Sequence, residues 1–196
     1  MNSLRRSIVP YLGFVLAIAV GVHAMAQDAS ITTYGERHDS APEELDVFAF
    51  LIGKWEGTGR TRIDDGTVVE YDGITWIGRY ILGGMAIVDE LHAPLPDGGR
   101  GMGITIRYFD SEHEHWIVDF LNVTYSFIRR QVNAESGSVE MDRSTVVVVS
   151  ESDQSISREY YRILGNDRFD YSIDLSMDGG DTWNRGSVEF NMRRVE

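Results

Sequence analysis

The sequence predicts an all-β chain: a closed antiparallel β-barrel of about nine or ten strands, with a short N-terminal capping helix. Three observations predict it. Apolar and polar residues alternate with period two in run after run from Gly53 to Arg194. Turn signals separate the runs at roughly the 8–12-residue spacing of a β-sandwich or barrel. Only one segment has helical periodicity, and it precedes the first strand, so no helix is available for parallel crossovers.

Residues 1–26 read as a cleaved secretory signal peptide. Arg5 and Arg6 supply the positive region, Ile8 to Val22 the apolar run, and Ala24-Met25-Ala26 a small-x-small cleavage site. The apolar run is shorter than the roughly 20 residues of a membrane span. Ser7-Ile8-Val9 after the arginine pair matches a twin-arginine signal poorly. The expected location is periplasmic or secreted, with no stable membrane insertion after signal removal. Residues 27–39 are polar and patternless, a flexible leader. The barrel domain spans 40–196. Within it, Ser40-Ala-Pro-Glu43 reads as a helix start, with Ser40 as cap and Glu43 closing a capping box. Leu45, Phe48, Ala49 and Ile52 then recur at helical spacing, and Gly53 ends the helix.

After Gly53 the period becomes two. Trp55, Gly57 and Gly59 share one face of the first strand. Met102, Ile104, Ile106 and Tyr108 form an apolar row expected to face the core, as do Trp116, Val118 and Phe120. Thr145 to Val149 is a β-branched run. Phe169, Tyr171, Ile173 and Leu175 alternate with Arg168, Asp170, Ser172 and Asp174. Val188, Phe190, Met192 and Arg194 share a face of the last strand. Asp64-Asp65-Gly66, Leu82-Gly83-Gly84, Pro94 to Gly99, Asp110 to His113, Gly165-Asn166-Asp167 and Asp178-Gly179-Gly180 mark turns. A barrel removes the exposed edges that a sandwich leaves. If the first and last strands pair, Trp55 and Arg194 meet at the plugged end, where a guanidinium over an indole is worth roughly 0.5–2 kcal/mol.

Gly53-Lys54-Trp55 on the first strand, with an arginine closing the last, resembles the lipocalin–calycin superfamily. Phe50 to Gly59, Gly101-Met-Gly103, Asp110 with Trp116 downstream, and Ser176-Met-Asp-Gly-Gly-Asp-Thr-Trp183 are similar to a family of lipocalin-like bacterial domains of unknown function. The resemblance spans about Leu45 to Arg194. It implies a calycin-type barrel and no reaction. Gly53-Lys54-Trp55-Glu56-Gly57 also distantly resembles the haem-binding nitrobindins, whose resemblance would imply an axial histidine near the chain end. The histidines are His23, His38, His92, His113 and His115, so no cofactor is expected.

The chain carries 31 acidic and 18 basic residues, a formal charge of −13. Loss of Arg5 and Arg6 with the signal would make it −15. Such a surface repels phosphate backbones, so nucleic acid is not an expected partner. With no cysteine there is no disulfide, thiol nucleophile or thiolate site.

Ser176 to Trp183 also matches the Asp-box hairpin. Asp178 can accept backbone N–H bonds in the turn and Trp183 can pack its base, a structural role rather than a glycan contact. A propeller would need repeated copies, and there is one. His113 and His115 could ligate a metal with His92, Asp110 or Glu112, but no spacing is diagnostic and no metal is expected. Asp89, Glu90, Arg107, Asp119, Arg129 and Arg158 are mid-strand charges, either solvated outward pairs or the lining of a polar pocket. Asp89 and Glu90 face opposite ways, so one should point inward. Glu90 and His92 share a face and are the best acid–base pair available. Trp76, Tyr108, Trp116, Phe120 and Tyr125 are the aromatic candidates for lining a lumen, Tyr160 being core-sized as well. The expected function is an exported protein that holds a small, mainly apolar molecule in its lumen. The alternative is a barrel enzyme for acid–base isomerisation, cyclisation or hydration. A third reading is a ligand-free envelope or interaction protein.

Overall fold

The computed structural model describes residues 34–63, 66–95, 98–124, 127–133, 138–151 and 155–196, the side chains of 123–133 excepted. Eleven strands form a single antiparallel sheet: β1 (Gly53–Arg62), β2 (Val68–Ile81), β3 (Ala86–Pro94), β4 (Arg100–Asp110), β5 (His115–Thr124), β6 (Phe127–Asn133), β7 (Ser138–Asp142), β8 (Thr145–Glu151), β9 (Ile156–Ile163), β10 (Arg168–Ser176) and β11 (Asn184–Arg194). Their order is β6-β5-β4-β3-β2-β1-β11-β10-β9-β8-β7. The sheet curls into a nearly closed barrel. The first and last strands pair in its middle, and the seam falls between β6 and β7, its two edge strands. The expected antiparallel barrel of about nine or ten strands with a short N-terminal helix is thus what the chain forms, nearly closed and with β6 and β7 as its edges. Among the described residues no helix is long and apolar enough to cross a membrane.

The capping helix is a 3₁₀ helix, Glu43–Leu51. In a 3₁₀ helix residues three apart eclipse, so Leu45, Phe48 and Leu51 form one stripe, and all three are buried. The α-helical set ending at Ile52 is therefore corrected to a three-residue repeat ending at Leu51. The capping box is absent too. Pro42 holds the N-cap position with no side-chain cap, while Ser40 bonds the His38 ring through both its backbone N–H and its hydroxyl.

This helix plugs one end of the barrel. In register, Trp55 faces Arg194 across β1 and β11. The Arg194 guanidinium lies 4.1 Å from the Trp55 ring centroid. It donates to the helix-end carbonyls of Ile52 and, at 3.0 Å, Phe50. The Trp55 indole N–H donates to Leu51 O at 3.0 Å. Three otherwise orphaned carbonyls at the helix terminus thus find donors in these two side chains. Gly53 makes this approach possible: its φ is +119°, and a Cβ there would collide with the Arg194 guanidinium.

Above the plug lies an aromatic layer. Phe48 meets Trp116 edge-on at 5.0 Å, and Trp76 meets Phe169 at 5.6 Å and Tyr171 at 5.2 Å. Such T-shaped contacts place positive ring edges on negative faces.

One face assignment is reversed. On β4 the residues pointing inward are Gly103, Thr105 and Arg107, and the row Met102, Ile104, Ile106, Tyr108 faces out. Met102 is 38% and Tyr108 39% exposed. Two side chains explain the choice. The Phe120 ring on β5 occupies the space where a Cβ on Gly103 would stand, and Arg107 finds its counter-charge only inside.

A polar-walled lumen above a buried ion pair

The half of the barrel away from the plug holds a cavity of about 530 Å³. Alternation along each strand builds it. One wall is apolar: Trp76 from β2, Leu91 and Ala93 from β3, Gly103 from β4, and Val118 and Phe120 from β5. The facing wall is set with hydroxyls: Ser150 from β8, Ser157 from β9 and Ser187 from β11. Tyr171, Ile173 and Leu175 of β10 and Val188 and Phe190 of β11 also line it.

Beneath it runs a hydrogen-bonded chain. Asp89 and Arg107, each 1% exposed, form an ion pair between neighbouring strands. Asp89 Oδ1 accepts the Trp76 indole N–H at 2.7 Å. Arg107 Nη2 donates to Tyr161 OH at 2.9 Å. A guanidinium only donates, so the Tyr161 hydroxyl must turn its own proton onward, to Glu159 Oε2 at 2.8 Å. The Tyr171 hydroxyl donates to the same oxygen at 3.1 Å. Glu159 and both tyrosines line the cavity. Burial above all, then the Glu159 carboxylate, pushes the Tyr161 phenol far above its ordinary value. Tyr171 is raised by burial, then by Glu159 and Tyr161. Both phenols therefore stay neutral donors. The guanidinium also lies 5.0 Å from the Phe48 ring centroid, so the same arginine ties the cavity floor to the plug.

The sequence candidates separate in space. Trp76 and Phe120 line the cavity. Trp116 is buried against Phe48 and Phe109, in the plugged half. Tyr108 is on the outer face, and Tyr160 alternates with the inward Tyr161. Tyr125 lies outside the described residues. Glu90 and His92 do meet, at 2.5 Å between Oε1 and Nε2, but on the face of β3 opposite Leu91 and Ala93. Of the pair Asp89 and Glu90, Asp89 points inward.

At the His113 turn, Asp110 Oδ1 accepts the Glu112 and His113 backbone N–H groups, and Oδ2 stands 2.9 Å from His113 Nδ1. His115 opens β5 with its ring centroid 5.8 Å from that of His113. Among the described residues no group of three or more His, Asp or Glu side chains is placed to hold a metal ion. In the β10–β11 hairpin, Asp178 accepts Thr182 N–H at 2.8 Å, and Ser176 Oγ accepts Gly180 N–H at 2.9 Å. The Trp183 indole N–H closes the turn on Gly180 O, beneath the Arg158 guanidinium.

Sequence reading named Asp89 and Arg107 as mid-strand charges and missed Glu159 and Tyr161. Their signal was present: both share parity with Ser157 on one strand face. Only the fold shows that this face is the lumen.

A nearly closed antiparallel barrel, plugged at one end by a helix and an arginine–tryptophan stack, defines a calycin-like fold. The comparisons agree on the fold. Rv2717c from M. tuberculosis, known from its crystal structure, superposes with a TM-score of 0.53 at 13% identity, covering 80% of this chain and 99% of that one. The S-type phycobiliprotein lyase CPES from Guillardia theta superposes with a TM-score of 0.51 at 11% identity, covering 77% of this chain and 92% of that one. No protein-family model and no curated protein sequence matches the chain.

Proposed function

We propose that this barrel is a small-molecule-binding protein that holds a mainly apolar ligand in its lumen. The observation that carries the reading is the cavity of about 530 Å³ in the unplugged half, walled by Trp76, Leu91, Val118, Phe120 and Val188. A side-chain-filled barrel would leave no such space, which weighs against the ligand-free reading. Burying an apolar ligand there contributes about 25 cal/mol per Å² before ordering costs. Nothing favours acid–base chemistry through Glu90 and His92, which lie off the lumen. Export belongs to the same proposal and rests on the arginine pair, apolar run and cleavage site of residues 1–26. Sequencing the N-terminus of the protein from its native source checks it, with Gln27 as the expected first residue.

Native mass spectrometry of that protein tests the binding reading. The expected result is a retained small molecule, lost from an Ala93→Trp variant whose indole fills the lumen. A mass equal to the bare chain, together with no uptake of the neutral probe N-phenyl-1-naphthylamine, would contradict it.

A further inference from the structure

Resting on that lumen-binding reading, we infer that the ligand carries an amine, and that the Glu159 carboxylate is its anchor. The lumen's charge points there. Among the described residues that line the cavity, Glu159 is the sole charged side chain. The charges below it cancel, because Asp89 and Arg107 pair with each other. Glu159 is also held in place. Tyr161 and Tyr171 both donate to Oε2, at 2.8 and 3.1 Å. Arg107, through Tyr161, fixes the direction of that chain. Two donors on one oxygen orient the carboxylate and leave the other oxygen to accept from a ligand, since an ionised carboxylate has about four acceptor sites.

The surroundings suit a cation. Tyr71, Trp76, Phe120, Tyr171 and Phe190 ring the lumen, and aromatic faces attract an ammonium, more strongly when it is desolvated. Ser157, beside Glu159 on the same face of β9, offers a hydroxyl acceptor for a second ammonium proton. The apolar wall across the lumen takes the hydrocarbon part. At −13 the whole chain draws cations toward it. A fatty carboxylate would meet the opposite field.

The test uses three ligands of one chain length: octylamine, octan-1-ol and octanoate. Each competes with N-phenyl-1-naphthylamine on the full protein at pH 7. The expected result is octylamine tighter than octanol by about tenfold, as a charge-assisted hydrogen bond supplies, and octanoate weakest. Glu159→Gln should remove the octylamine preference and leave octanol unchanged. If Glu159→Gln does not fold, the ranking in the unaltered protein decides alone. The octanoate arm measures the sign of the lumen's field. Octanol binding without an octylamine preference, or octanoate binding best, overturns the amine inference and leaves the lumen reading standing. Failure of all three, octanol included, overturns both.

Discussion

Asp89→Asn would leave the Arg107 guanidinium buried with its charge uncompensated. Both side chains are 1% exposed, so water cannot compensate. Breaking such a pair from one side costs about 3–5 kcal/mol, whereas replacing both partners by apolar residues of similar volume is often neutral. Urea unfolding should therefore show a large loss for Asp89→Asn and a smaller one for an Asp89→Leu, Arg107→Met double variant. A single-variant loss below about 1 kcal/mol would contradict the buried pair. The tyrosines give a second check. Tyr161 and Tyr171 have folded-state values raised above 10.0 by burial and by Glu159. A group raised on folding stabilises fully below its unfolded value, and that contribution is lost as pH rises toward its folded one. An alkaline titration at 295 nm should show these two tyrosines silent until the barrel unfolds. Titration of both near pH 10 with the fold intact would contradict their placement. Little of this was legible beforehand. Mid-strand charges stood out in the sequence, and Asp89 and Glu90 had to face opposite ways. Which faced inward depended on a partner, Arg107, from the next strand.

At the scale of the element, the β10–β11 hairpin carries its own pH dependence. Hydrogen bonds from the Thr182 hydroxyl and backbone N–H, then from Ser176, hold the Asp178 carboxyl down from 3.8 to about 2. A depressed carboxylate stabilises above its unfolded value and ceases to as pH falls through its folded one. Amide shifts of Gly180 and Thr182 should move between pH 4 and pH 2. Asp178→Asn should abolish that transition, and an unchanged transition would contradict the turn. The hairpin, the strand runs and the pairing of Trp55 with Arg194 were readable because period two and turn chemistry are local. Alternation says which residues share a face and not which face looks in. On β4 the greasier row, Met102 to Tyr108, turned outward because the inner side had to hold Arg107 and leave room for Phe120. The helix hides a similar ambiguity. Leu45 and Phe48 fit both periods, and only burial of Leu51 decides for the 3₁₀ form.

For the whole molecule, the barrel divides into a packed half and an open half, and the proposed binding role belongs to the open one. The plug, the Trp55–Arg194 stack and the aromatic layer fill one end. The other end keeps its cavity because small residues, Ser150 and Ser187 among them, face inward where larger ones would fill it. No window of sequence contains that cavity, since its walls come from strands more than a hundred residues apart, such as Thr61 on β1 and Val188 on β11. The measurement that tests the lumen most directly is methyl-resolved NMR during titration with octan-1-ol. Shifts should concentrate at Leu91, Val118, Ile173 and Val188, with Ile104 and Ile106 on the outer face unmoved. Shifts confined to Ile104 and Ile106, or none at saturating octanol, would contradict a ligand-holding lumen.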